Sequence, residues 1–538
     1  MTPIVLAPDY YLHNFRLLID SVNRQYSDLL SDDEAAWIAI FQHLPEKAQM
    51  LCIRLLSRKG LFFRCDKLSY EEIGDIHLAA EELHNVGFVE SNNSDWPLEE
   101  ITSLFTKPEL LKLFPALAPC KSYRKPELVE ELLKHAPALD EFKQDIIQIC
   151  HQQHLDTFLL LFFGNRYQDL SQFVLSDLGL HQFESYTVDK ESRLFSDRRQ
   201  IQQWLELSSL NDHYWQAKEN KDRAEIVALS EKIPSAYTWP PLERKRQQLI
   251  NHIARDLERF EMPEHALGLF RESQLPPSRE RQVRILDKLQ QFEPALELAL
   301  AIKQSPHNED EAEVAERLEK KLSRTLKRTY QPAAKPVFNE SHLTLANNGQ
   351  RVELSVAAHY ASQGWSVHYL ENSLLCGLFG LAFWDIIFTP VKGAFLNPYQ
   401  RSPRDMFHPE FYQQREALIN LRLTDISENR WQTWTEIYRN KRGISNDWVN
   451  WSILTEDIVL QATSAIPSST LCELFKRLLF DPRNNRSGLP DLIMFKASEY
   501  QWVEVKGPGD KLQNNQIRWL KKFAELGCPA SVDYVTWK

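Results

Sequence analysis

Two short runs near the carboxy end have the hydrophobic pattern of β-strands: residues 491–495, Asp-Leu-Ile-Met-Phe, apolar after the first position, and residues 500–506, Tyr-Gln-Trp-Val-Glu-Val-Lys, which closes on alternating apolar and charged side chains. They are rich in β-branched and aromatic residues and are separated by the polar Lys496-Ala-Ser-Glu499, which predicts a hairpin. A turn centred between Ala497 and Ser498 sets position 491 opposite 504, so Asp491 and Glu504 become cross-strand neighbours. Trp502, Glu504 and Lys506 then share one face, while Val503 and Val505 enter the other, apolar one. Gly507-Pro-Gly509 stops the strand, and Asp510 is placed to cap a helix whose Leu512, Gln516, Trp519, Leu520, Phe523 and Leu526 fall near one stripe. Lys511 and Gln516 are thereby expected near the two carboxylates.

Elsewhere the period is helical. Residues 33–43, 46–57 and 70–86 predict helices around a strand or turn at 60–64, and residues 108–113 and 126–133 predict a short helix pair. From about 200 to 325 the helical period is continuous. Arg259-Phe260-Glu261, Ala266-Leu267 and Ser273 recur as Gln291-Phe292-Glu293, Leu298-Ala299 and Ser305, an offset of 32 residues that predicts stacked helix pairs of the tetratricopeptide type. Leu318, Leu322 and Leu326 mark the packed stripe of a helix whose other face carries Lys320, Arg324, Lys327 and Arg328. Residues 331–336, Gln-Pro-Ala-Ala-Lys-Pro, break the pattern and predict a linker. The segment 371–388 is apolar around most of its circumference. Interrupted by Gly377, Gly380 and Asp385, and short for a membrane span, it predicts a buried helix.

Composition narrows the classes. A chain of 538 residues with 43% hydrophobic and 25% charged residues holds several globular domains. Its formal charge of −11 opposes nucleic acid in bulk, so any such affinity must come from local basic surfaces and bound metal. Seven cysteines, an odd number without CxxC spacing, point to reduced thiols and no structural zinc. The first residues lack both a basic region and a long apolar run, so secretion is not expected and a cytoplasmic location is.

The hairpin carries the candidate chemistry. Carboxylates of Asp491 and Glu504, with the main-chain carbonyl of Val505 between the acidic and basic side chains, form a hard oxygen donor set suited to Mg²⁺ or Mn²⁺. Lys506 lies where an ammonium could stabilise charge developing on a phosphate. Taken alone, Glu-Val-Lys is an ordinary surface pair on a strand; the preceding Gly488-Leu-Pro-Asp491 turns the reading toward phosphodiester hydrolysis. Glu371, at the start of the apolar helix, supplies a third acid, and Asp385 is read as structural. Candidate phosphate contacts are the cluster Arg54, Arg58, Lys59, Arg64 and Lys67, the turn with Lys121, Tyr123, Arg124 and Lys125, and the loop Arg483-Asn-Asn-Arg486. Arg244, Arg246, Arg279, Arg281 and Arg284 are further ones. Residues 106–135 resemble a SAP helix-extended-helix module.

Gly488-Leu-Pro-Asp491, Val503-Glu-Val-Lys-Gly-Pro508 and Leu512-x-x-x-Gln516-x-x-Trp-Leu520 resemble the VRR-NUC version of the PD-(D/E)xK nucleases. Val367-His368 with Glu371, Gly380-Leu-x-x-Trp-Asp-Ile-Ile-Phe388, Asn397-x-Tyr-Gln400, Val449-Asn-Trp451 and Arg486-Ser-Gly-Leu-Pro-Asp491 extend the resemblance to the Fanconi-associated nucleases, in a bacterial-length form without the eukaryotic ubiquitin-binding zinc finger. That resemblance implies metal held by Glu371, Asp491, Glu504 and the Val505 carbonyl, with Asp491, Glu504 and Lys506 catalytic. It implies a nucleoid-associated nuclease that cuts 5′ flaps, trims 5′ to 3′ and helps to repair interstrand crosslinks, with branched or flapped DNA as partner and no membrane. The alternatives are a nuclease of this fold acting on other nucleic acids, or a helical scaffold with an inactive nuclease domain. The expected architecture is multidomain and mostly α: a helical DNA-binding region over 1–100, a SAP-like module over 101–140, TPR-like repeats over 141–330 open to protein partners, and an α/β nuclease domain over 337–538.

Overall fold

The computed structural model describes residues 8–135, 137–167, 182–332 and 337–538. Residues 333–336 of the expected linker lie outside the described residues. The chain divides into two compact units, one of Met1–Gln182, Val188–Arg198 and Leu396–Tyr399, the other of Phe183–Thr187, Arg199–Phe395 and Gln400–Lys538.

In the first unit the predicted helices are present as Asp32–His43, Glu46–Leu56 and Ile76–Asn85, joined by Tyr10–Tyr26. Ser31 starts the first of these with a capping box, its hydroxyl accepting from the Glu34 N–H while Glu34 accepts from its own. A three-stranded antiparallel sheet runs β1 (Phe62–Arg64), β3 (Ile146–Ile149), β2 (Val89–Ser91). The central strand and the helix Gln152–Phe163 belong to this unit, whereas the sequence reading began the helical repeats at 141. Three isoleucines in Ile146-Ile-Gln-Ile149 explain the difference, because they need a buried sheet position to lose contact with water. The SAP-like pair forms as Lys107–Leu113 and Lys125–Lys134 around Phe105, Leu110, Leu117, Leu128 and Phe142.

The second unit opens with paired helices, Arg198–Glu219 with Arg223–Glu231, Pro240–Arg259 with Pro263–Arg271, and Ser278–Lys288 with Phe292–Gln304, followed by Glu309–Thr325. Lys221, Glu261 and Gln290 are left-handed at the ends of the first helices. After each, the next N–H reaches back to the last turn: Asp222 to Ala217 O at 2.8 Å, Met262 to Leu257 O at 3.1 Å and Gln291 to Leu286 O at 2.9 Å. Glu261 therefore corresponds to Gln290, a step of 29 positions where the residue pattern predicts 32, and the step before it, from Lys221 to Glu261, is 40. The cationic face predicted through Arg328 is cut short, since the helix stops at Thr325 and Arg328 pairs with Glu293.

A five-stranded mixed sheet, β4 (Asn339–Leu345), β8 (Ala530–Trp537), β7 (Glu499–Lys506), β6 (Leu492–Lys496) and β5 (Ser366–Tyr369) in that spatial order, forms the carboxy-terminal module. One face buries Leu492, Met494, Val503 and Val505 against Val356 of the helix Val352–Ala361. The other packs Trp502 on Phe523 of the helix Asn514–Glu525, with ring centroids 5.4 Å apart. The apolar helix is buried along Leu374–Ala382, where a side chain on Gly380 would come within 2.6 Å of Val449 and 2.9 Å of Trp448. Among the described residues no helix is long and apolar enough to cross a membrane.

Candidate active site

The hairpin pairs as its alternation requires. Leu492 faces Val503, which carries Asp491 on to Glu504, and the turn passes through a left-handed Ala497. Asp491 precedes the first bonded residue of β6, where its Oδ2 accepts from the Val505 N–H at 2.9 Å. Its backbone carbonyl accepts from both Leu370 and Glu371 N–H groups at 3.1 Å, so the chain leaving β5 is pinned beside it. Glu371 is there held at φ +44, exposed, and accepts from the Tyr369 hydroxyl. A side chain on Gly488, itself at φ +87, would meet Asn515 at 2.7 Å; the loop before Asp491 thus lies directly on the first turn of the helix Asn514–Glu525.

Glu504 is 1% exposed, and its Oε1 accepts from Lys506 Nζ at 2.7 Å and from Gln516 Nε2 at 2.6 Å. Its Oε2 is buried without a hydrogen-bond partner. Gln516 Oε1 accepts in turn from Lys506 Nζ at 3.1 Å and from the Gln513 N–H at 2.9 Å, so one amide bridges both hairpin groups in a fixed sense. Burial, with the Asp491 charge adding, pushes the Glu504 carboxyl up to about 7 against the pull of Lys506. Burial likewise raises Asp491 to about 6; the Val505 N–H and Lys506 oppose, and Glu353 and Glu371 add to the rise. Carboxylates are crowded here with too little positive charge.

Glu353 was missed by the sequence reading. It sits in the first turn of Val352–Ala361, far from the hairpin in the chain, and its charge reaches Asp491, Glu504 and Tyr369. Only its place on the helix that covers β6 and β7 connects it to the site. One expectation is corrected. Gln513, not Asp510, caps the last helix, because Asp510 Oδ2 folds back onto the Gly507 N–H at 3.0 Å. Gln516 meets Glu504 and Lys506 as expected, and Lys511 is exposed. Among the described residues no three His, Cys, Asp or Glu side chains are gathered tightly enough to enclose an ion.

The basic candidates separate clearly. Arg54 is committed internally, paired with Glu72 at 2.6 Å and stacked over Tyr11 and Tyr70. Arg64 pairs with Asp66 and Glu109, and Lys67 also pairs with Glu109. Arg244, Arg246, Arg279, Arg281 and Arg284 pair with Glu410, Glu272, Glu311, Glu258 and Glu280, the first four largely shielded from water and Arg284 half-buried, so each is already neutralised by a carboxylate. Arg58, Lys59, Lys121, Arg124, Arg483 and Arg486 are exposed. Arg124 stands at the cap position of Lys125–Lys134, and Arg486 lies over Phe407. Asp385 is structural, paired with Arg422 at 2.8 Å.

Three family models match successive parts of the chain: "FAN1, HTH domain" over residues 9–90, "Fanconi anemia-associated nuclease SAP domain" over 97–144 and "VRR-NUC domain" over 426–537. A Fanconi-associated nuclease 1 homolog of Pseudomonas aeruginosa is 35% identical over all of this chain and 97% of its own length. The chain belongs to the Fanconi-associated nuclease 1 family. It is thereby a phosphodiester hydrolase of a class that works with metal. The human Fanconi-associated nuclease 1 is 25% identical over 98% of this chain, which spans 62% of that longer relative. Crystal structures of paFAN1 bound to 5′ flap DNA with a gap superpose with TM-scores of 0.83 and 0.80 at 35% identity, covering 100% and 99% of this chain and 100% of each neighbour. The helix-turn-helix assignment sharpens the sequence reading, which recognised helices over 1–100 without that motif.

Proposed function

We propose that this Fanconi-associated nuclease is a Mg²⁺- or Mn²⁺-dependent enzyme that cuts DNA at 5′ flaps and trims 5′ to 3′ in DNA repair, including the unhooking of interstrand crosslinks. The observation that carries the metal reading is the unpartnered, buried Oε2 of Glu504 beside an Asp491 whose carboxyl is also pushed up. A buried carboxylate oxygen without a donor is costly to ionise, and a divalent cation is a partner that fits Glu504 Oε2 beside the second carboxylate, since the nitrogen donors of Lys506 and Gln516 are both taken up by Oε1. Asp491, Glu504 and the Val505 carbonyl would hold it, and the exposed Glu371 would join them only by turning from the Tyr369 hydroxyl, because the three acidic side chains do not already enclose an ion; Glu353 adds charge. When bound, the ion polarises the scissile phosphate and makes a water more acidic.

The chain's own groups do the rest. Lys506, buried and hydrogen-bonded to Glu504 and Gln516, presents a fixed positive charge to the phosphate as negative charge develops there. The Val505 N–H holds Asp491 on one side, leaving its other oxygen for a ligand. Lys121 and Arg124 on the SAP module, with Arg58 and Lys59, are exposed cations suited to duplex backbone, and Arg483, in the short helix Pro482–Asn485, and Arg486 at its end stand just before Asp491. The paFAN1 complexes with 5′ flap DNA support the choice of substrate. Cleavage of matched 5′-flap, 3′-flap, duplex and RNA substrates with Mg²⁺ or Mn²⁺ tests the proposal. Preferred cutting of the 5′ flap is expected, and equal cutting of the RNA counterpart would overturn it.

A further inference from the structure

The last helix of the nuclease module, Asn514–Glu525, touches the Glu504–Lys506 pair and the loop that precedes Asp491. Gln516 bridges Glu504 and Lys506, Trp519 Nε1 donates to the Ser487 carbonyl at 3.1 Å, and Asn515 lies under Gly488. Between those residues stands Arg518, whose side chain points away from the centre. Its Nε donates to Glu313 at 2.6 Å and its Nη2 to Asp310 at 2.8 Å, both in the opening turns of the repeat helix Glu309–Thr325. The same turn grips the loop side. Glu309 accepts from Arg477 at 3.0 Å and from Asn485 Nδ2 at 3.1 Å, its N–H donates to Asp481 at 3.2 Å, and the Arg477 guanidinium lies 5.2 Å from the Trp519 ring. One acidic helix start thus holds both the loop that delivers Asp491 and the helix that orders Glu504 and Lys506.

We propose that Arg518 is a positioning residue for phosphodiester cleavage: through Asp310 and Glu313 it locks the repeat helix to the helix bearing Gln516, and so fixes Glu504 and Lys506 for metal and phosphate. The proposal rests on the assignment of those two residues to the active centre. Its physical basis is geometric. A guanidinium held by two carboxylates and largely shielded from water is rigid, whereas an exposed lysine pair in this place would leave the helix free to shift. A shift on the order of 1 Å at a reacting group lowers turnover by about a hundredfold.

The test uses the full chain on a 5′-flap substrate, reading kcat, KM, the half-saturating Mn²⁺ concentration and melting temperature. Arg518→Ala is expected to lower kcat roughly tenfold or more and to raise the Mn²⁺ midpoint, with KM for the flap nearly unchanged. Arg518→Glu combined with Glu313→Arg should recover part of both losses, which a merely structural surface pair would not do. Arg518→Lys, milder for folding, should fall between wild type and Arg518→Ala. Wild-type kcat and Mn²⁺ midpoint in both Arg518→Ala and Arg518→Lys, with only the melting temperature lowered, overturns the proposal while Glu504→Ala remains inactive. Full cleavage by Glu504→Ala shows instead that the active-centre assignment is wrong, and overturns the clamp with it.

Discussion

At the scale of single residues the site is an arrangement of acids under-supplied with cations. Asp491→Ala and Glu504→Ala each remove an anionic ligand and Lys506→Ala removes the fixed charge. Cleavage should fall on the order of 10²–10³-fold in each case, with flap binding largely kept, as judged by single-turnover rates and a binding titration. Near-normal turnover in the first two would sink the assignment. The raised carboxyls also give a pH signature. Asp491 at about 6 and Glu504 at about 7 bind protons more tightly folded than at their ordinary values of 3.8 and 4.5. Their contribution to stability is therefore fully present below about pH 4 and is lost as pH rises through the folded values. A divalent cation relieves the repulsion that appears in that window. The gain in melting temperature on adding Mn²⁺ should accordingly grow between about pH 5 and pH 8. A gain that stays flat across that range would contradict the crowded-carboxylate account.

Elements matter through how closely they approach. Gly488 at φ +87 lies against the backbone and side chain of Asn515, while Gly509 at φ +89 has open space around the corresponding position. Gly488→Ala should therefore cost about 1–3 kcal/mol and slow cleavage by displacing Asp491, whereas Gly509→Ala should cost about 1 kcal/mol from backbone strain alone. Paired thermal melts and cleavage rates distinguish them; equal behaviour would mean that the loop does not depend on its contact with the last helix. The repeat helices show another side of the element scale. Their ends turn through Lys221, Glu261 and Gln290, where glycine would be the usual signal, so no residue type marks the stops and the 32-residue offset falls three positions from the 29 between Glu261 and Gln290.

For the whole molecule, charge sets the binding behaviour. With a formal total of −11, affinity for branched DNA depends on exposed cations and should fall steeply as salt rises. Lys121→Glu with Arg124→Glu should weaken flap affinity at an unchanged melting temperature, since both side chains are exposed to solvent. Retained affinity would direct attention to Arg483 and Arg486. The fragment 337–538, which the sequence alone would credit with the full metal chemistry, lacks Glu309, Asp310 and Glu313. It should cut more slowly than the full chain as well as losing preference for the flap, measured at saturating Mn²⁺.

The hairpin was legible in the sequence because a period of two has only one register that buries Val503 and Val505, and that register fixes Asp491 opposite Glu504. The apolar helix after Glu371, the SAP-like pair and the repeat character followed from periodicity in the same way. Which cations were free did not. Arg54 and the five repeat arginines look alike in the sequence to Lys121 and Arg124, and only folding revealed the carboxylates that claim them. Glu353 and Arg518 were hidden for the same reason. A charge acts over a few ångströms of space, and residues far apart along the chain become its neighbours only once the sheet, its covering helices and the repeat helix have packed.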